Sequence, residues 1–199
     1  NSDKVMGHHN SLSNEVAAAR ACTLCAERLP LGPRPVLRAS ATARLLIIGQ
    51  APGTRVHATG IPWNDPSGVR LREWMGVAPA QFYDEARIAI LPMGLCYPGR
   101  LPRGGDAPPD PACAPLWHPR LRPLMREIRL TLLVGSYALG GGPMTPRVMD
   151  WRRDLPAVLP LPHPSWRTLA WERRHPWFRE ELLPELRRLV AEILGTPNE

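Results

Sequence analysis

The chain has 199 residues, 44% of them hydrophobic, and carries a formal net charge of +7 with a pI near 10.0. That length suits one domain with a real core. No run approaches the roughly 18 apolar residues that span a bilayer, and no charged start followed by an apolar stretch marks a secretory signal. No membrane partner is expected, and the expected location is the cytoplasm. The basic excess is arginine, since lysine occurs only at Lys4. Arginine's forked donors suit phosphate, but an arginine-rich codon bias gives the same total, so placement has to decide. The 25 prolines are spread among apolar runs, which predicts short elements joined by stiff loops rather than a low-complexity chain.

In chain order, residues 1–14 are polar and patternless and read as a disordered leader or an appended segment. The spacing then predicts a short helix over 15–25 that ends in a Cys-x-x-Cys pair, and a proline-rich connection over 29–38. Arg44 to Ile48 is apolar and β-prone and stops at Gly49, as a buried strand does. A loop over 50–66 leads to a helix capped by Ser67 and running to Met75. Arg87 to Leu91 reads as a second strand, 97–111 as a Pro/Gly loop, and 116–128 as an amphipathic helix. Leu130 to Val134 reads as a third strand. Ala157 to Leu161 reads as a fourth, its proline placing it near an edge. A terminal helix over 180–194 ends at Gly195. Strands alternate with helices, so the expected fold is a single α/β domain over 15–199. Its core is a central, mostly parallel four-stranded sheet flanked by helices on both faces.

Each strand runs into a polar or glycine-rich turn: Gln50-Ala51-Pro52-Gly53, Pro92-Met93-Gly94, Gly135-Ser136-Tyr137 and His163-Pro164-Ser165. In an open parallel sheet such turns gather at the carboxyl edge, where ligands bind. One pocket built from distant segments is therefore expected.

Cys22 and Cys25 form a close pair, whereas Cys96 and Cys113 flank the Pro/Gly loop. Without a secretory signal, disulfides are not expected. Four thiolates can hold zinc or an iron–sulfur cluster, and the spread of the second pair favours a cluster. Four unrelated buried thiols are the plainer alternative. A bound group of this kind would staple the amino-terminal segment to the loop, and would present Arg100 and Arg103 to a polyanion.

Three passages resemble the motifs of the uracil-DNA glycosylase superfamily. Gly49-Gln50-Ala51-Pro52-Gly53 is similar to its first motif. Thr59 to Gly68 looks like the continuation that wraps the base and opens a helix, and His163-Pro164-Ser165 looks like the second motif. The cysteine spacing is similar to that of the iron–sulfur branches, families four and five. The resemblance implies a [4Fe–4S] cluster on Cys22, Cys25, Cys96 and Cys113, and a monomer acting on DNA that contains uracil or another deaminated base.

The chemistry gives roles to the residues. A glycosylase takes the nucleotide out of the stack and reads the base in a pocket. Bond cleavage leaves a cation-like sugar and a base carrying negative charge, so an aromatic platform, an oxyanion donor and a carboxylate are needed. By resemblance, Trp63 is the platform, His163 the donor, and Asp65 the catalytic carboxylate. Each has a bland counterpart: a core tryptophan, a structural histidine, and a helix-capping aspartate. The pocket is completed by Gln50, Ala51, Pro52, Gly53, His57, Asn64 and Met93. Ser165, Trp166, Arg167, Arg173 and Arg174 follow the second motif and are assigned to DNA, with Trp166, Arg167 or Leu169 as a wedge and Arg173 and Arg174 on phosphates. Trp177 and Phe178 are read as packing for the last helix.

Two departures stand out. Ala51 and Val56 occupy positions where other branches carry an acid, and Pro92 stands where many carry a base-reading asparagine. Hypoxanthine and xanthine therefore stay beside uracil as substrates. No lysine lies near the motifs, so a Schiff-base step is not expected. A non-catalytic binder of damaged or single-stranded DNA is the competing reading, and a zinc-bound structural domain the third.

Overall fold

A computed structural model describes residues 11–195. Four strands, β1 (Leu45–Ile48), β2 (Ile88–Ile90), β3 (Leu130–Val134) and β4 (Val158–Leu161), form one sheet in the order β2-β1-β3-β4. Every pairing is parallel: Leu46 lies opposite Ala89 and Thr131, and Leu132 opposite Leu159. The expected α/β class holds, with a sheet that is wholly parallel. Pro160 stands in β4 at the sheet's edge, where a missing N–H leaves no ladder bond unmade.

The core follows from the two-residue period of a strand. Leu45 and Ile47 face a layer formed by α3 (Pro66–Met75), α6 (Met144–Met149) and α8 (Leu183–Leu194). Leu46 and Ile48 face the opposite layer, which contains α1 (Leu12–Arg20) and α5 (Cys113–Leu121). All four side chains are buried, as expected of a central strand covered on both faces.

Several boundaries differ from the sequence reading. The first helix begins at Leu12, because the Ser11 hydroxyl accepts the Asn14 N–H as an N-cap. Residues 11–14 are thus part of the fold, while 1–10 lie outside the described residues. The helix ends at Arg20, before the cysteine pair. Asp65, not Ser67, caps α3, with Pro66 in the first turn. The helix expected over 116–128 runs from Cys113 to Leu121 and tightens into a 3₁₀ turn at Arg122–Leu124. The last helix starts at Leu183, after a π-helical turn over Phe178–Leu182. Four short α-helices were not anticipated: α2 (Thr54–Thr59), α4 (Pro79–Phe82), α6 and α7 (Leu169–Arg174), the last of which follows the second motif. No helix among the described residues is long and apolar enough to cross a membrane.

Candidate active site

A pocket opens at the carboxyl ends of β1, β2 and β4. It is lined by Gln50, Ala51, Pro52 and Gly53 from the first turn, Pro92 from the second and His163 from the fourth. Trp63, Asp65, Ser67 and Asp106 complete its wall. Sheet topology brings these distant segments together: each turn leaves its strand at the same edge. The Gly135 turn does not line the pocket. Instead Gly135 backs the histidine, with room of only 3.5 Å between His163 Cβ and a Cβ placed on Gly135.

Trp63 has φ +58°, a left-handed conformation rarely adopted by a bulky residue. Its surroundings hold it there. Arg72 donates to the Trp63 carbonyl at 3.2 Å and to the Tyr83 hydroxyl at 3.2 Å, and that hydroxyl donates to the Pro62 carbonyl at 3.0 Å. Two glycines make room: a Cβ on Gly68 would lie 1.7 Å from the Trp63 carbonyl oxygen, and one on Gly49 would lie 2.8 Å from the indole ring. The indole is thereby set against His163, with ring centroids 5.8 Å apart and planes inclined at 32°.

Burial lowers the His163 proton affinity, against a smaller opposing pull from Asp65. The imidazole is therefore neutral at neutral pH and keeps an N–H to donate. Asp65 is both a pocket residue and a helix cap, since its Oδ1 accepts the Gly68 N–H at 2.8 Å. The capping and pocket readings of Asp65 hold together.

Three expected pocket residues lie elsewhere. Met93 packs against the α1–α5 side of the core, because its amide bonds Gly49 and turns Pro92, not Met93, toward the pocket. His57 sits on α2 with its ring 6.0 Å from that of Tyr97, outside the lining. Asn64 is half-buried beside the pocket without lining it. Conversely, Asp106 was missed: it lies in the Pro/Gly loop, where no motif marks it.

The mouth carries exposed side chains. Trp166 is 73% exposed, with the Arg167 guanidinium 5.7 Å from its ring. Arg167 also reaches across to Gly105, 3.3 Å from a Cβ placed there. Arg173 and Arg174 are exposed on α7. The segment is braced from below. Arg70 donates to the Ser165 carbonyl and to Thr168 Oγ1, and it pairs with Glu172, which also pairs with Arg179. Trp171, Trp177 and Phe178 pack edge-on against one another, so the packing role expected of Trp177 and Phe178 holds.

Cys22, Cys25, Cys96 and Cys113 line a second cavity, together with Leu95, Asp110 and Trp117. None is in a disulfide. Burial pushes the Cys96 and Cys113 thiols up to about 11, so a bound cation is needed to make them thiolates at neutral pH. The Leu95 N–H donates to Cys113 Sγ at 3.3 Å, and the Trp117 indole N–H is buried without a partner among the described residues. Four thiols with donors around them fit a sulfur-rich metal group. Among the described residues, no three His, Cys, Asp or Glu side chains stand ready around a single ion. The two cavities are back to back, because a Cβ on Gly94, in the cysteine cavity's wall, would lie 3.4 Å from Ala51 of the first pocket.

A family model described as the Uracil DNA glycosylase superfamily matches residues 38–187. The match takes in all four strands, both pocket motifs, Cys96 and Cys113.

Proposed function

The chain belongs to the uracil DNA glycosylase superfamily, and from that premise we propose that it hydrolyses the N-glycosidic bond of uracil and related deaminated bases in DNA, leaving an abasic site. The observation that carries the reading is the adjacent pair of Trp63 and a neutral His163 in the wall of a pocket that also holds Asp65.

A flipped base stacks on the Trp63 indole and presents its O2 to the His163 N–H. As the bond to C1′ breaks, negative charge grows on O2 and the hydrogen bond strengthens, which lowers the barrier. Asp65 lies close enough to influence His163 electrostatically and supplies negative charge beside the developing sugar cation. Trp166 fills the space the base vacates, and Arg167, Arg173 and Arg174 hold the flanking phosphates. Pro92 offers no side-chain hydrogen bond where a base reader would stand. The pocket therefore accepts hypoxanthine and xanthine beside uracil.

The four cysteines hold a [4Fe–4S] cluster in this reading, supported by their shared cavity and the surrounding N–H donors. The cluster is structural: it ties Cys22 and Cys25 to the loop whose other face borders the base pocket. Purified anaerobically, the protein should be brown and contain about four irons and four sulfides per chain. One zinc and no sulfide would contradict the cluster assignment.

The activity test compares wild type with His163→Ala and Trp63→Ala on oligonucleotides containing a single uracil. His163→Ala should lower the excision rate by about 100- to 1,000-fold. Trp63→Ala should mainly weaken binding. DNA binding by wild type without any base release would favour a non-catalytic reader of the same fold.

A further inference from the structure

The pocket contains a second acid that the motifs do not. We propose that Asp106 is a catalytic carboxylate of this site, which orients the attacking water at C1′ and accepts its proton. The inference rests on the glycosylase reading above.

Position is the first argument. Trp63 and His163 are half-buried and define where the base goes, so the deoxyribose, still joined to the strand, stays at the mouth. Asp106 lines the same pocket but is solvent-exposed, which puts a carboxylate where sugar and water meet. Its place is fixed by backbone. Arg100 and Asp106 form an antiparallel bridge, Leu101 N–H bonds the Gly105 carbonyl at 2.9 Å, and Ala107 N–H bonds the Gly99 carbonyl at 2.8 Å. The Gln50 side-chain amide then ties this hairpin to the first motif by donating to the Ala107 carbonyl at 3.4 Å. Asp106 Oδ2 lies 3.5 Å from the point a Cβ on Gly53 would occupy, so the carboxylate stands beside the first motif.

Availability is the second argument. Asp65 commits one oxygen to capping α3. Among the described residues, the Asp106 carboxylate makes no hydrogen bond or ion pair. Burial and the nearby Asp65 raise its proton affinity, while Arg100 and Arg167 lower it. His163, neutral, is the remaining titratable group of the pocket wall. A carboxylate held above its ordinary range is a stronger base toward water.

The step balances. The C1′–N bond breaks and its electron pair leaves with the base, stabilised at O2 by His163. The water oxygen bonds C1′, and its proton passes to Asp106. The departing base anion takes its proton from solvent.

The test is single-turnover excision of uracil from a single-stranded oligonucleotide, beside binding of the same oligonucleotide carrying the non-cleavable 2′-fluoro-deoxyuridine. Asp106→Asn should lower the rate by about 100-fold or more and leave binding unchanged. Asp106→Ala should regain excision on addition of formate, an external carboxylate. An Asp106→Asn variant with the wild-type rate would overturn the assignment. So would a rate loss that merely parallels lost binding and resists formate. Failure of the wild type to release any base would instead sink the glycosylase reading itself, and this inference with it.

Discussion

Trp63 shows how single side chains decide this site. Its left-handed backbone and the close approach of Gly68 are one arrangement: the helix can begin beneath the tryptophan carbonyl only if position 68 has no side chain. Gly68→Ala should therefore cost about 2 kcal/mol or more of unfolding free energy, together with loss of excision as Trp63 and the Asp65 cap shift. Gly53→Ala is the contrast. Gly53 has φ −87° and its added Cβ would make only ordinary contact, so stability should change by less than about 0.5 kcal/mol. Urea denaturation of both variants checks the pair. That Trp63, Asp65 and His163 share one pocket could be read from sequence because their motifs surround them. Asp106 could not, since it sits in a loop of prolines and glycines and reaches the pocket only through a hairpin pairing. The pocket position expected of Met93 is taken by Pro92 for a similar reason. A turn's sequence does not say which of two adjacent side chains faces the pocket, and an amide bond to Gly49 decided for Pro92.

The segment after the second motif is held to α3 by an ionic cluster around a buried acid. Glu172 is 3% exposed and pairs with both Arg70 and Arg179, and Arg70 continues to the Ser165 carbonyl. Removing the acid leaves Arg70 partly buried and unpaired. Glu172→Ala should cost about 3 kcal/mol or more and weaken DNA binding as the 165–168 turn loosens, measured by denaturation and fluorescence anisotropy. Arg167, exposed at the mouth, tests the surface instead of the brace. Arg167→Ala should leave stability intact and reduce the slope of log binding constant against log salt by about one contact's worth. The strands were readable because their apolar runs are short, continuous and stopped by glycine or proline. The helices α2, α4, α6 and α7 were not, being only 6, 4, 6 and 6 residues long, too short for a periodicity to register. Ser11 was passed over as a cap because the segment before it carries no pattern.

For the molecule as a whole, two histidines link stability to pH. Burial lowers the proton affinity of His118, whose Nε2 lies 3.0 Å from the Pro92 carbonyl, and of His163. Each binds its proton less readily folded than unfolded. The unfolded chain thus takes up more protons as pH falls through the ordinary histidine value of about 6.5. Their contribution is present above that value and lost below it, so thermal stability should fall between pH 7 and pH 5. His118→Gln, which keeps a donor for Pro92, should flatten part of that fall. An unchanged pH profile would mean His118 does not titrate differently on folding. The same whole-molecule view explains why the pocket was foreseeable although its walls were not. A parallel sheet sends all its turns to one edge, so the sequence order of strands already placed Gln50 and His163 together. The third turn joined that edge but became a backing for His163 instead of a wall.

The central claim is that this pocket releases a base from DNA. The most direct measurement incubates the wild-type protein with an oligonucleotide containing one uracil and follows both products by mass spectrometry. The account predicts free uracil and an intact strand bearing an abasic aldehyde, in equal amounts, with the strand breaking only on alkali. An oligonucleotide recovered with its uracil in place, under conditions where the protein binds it, would contradict the account.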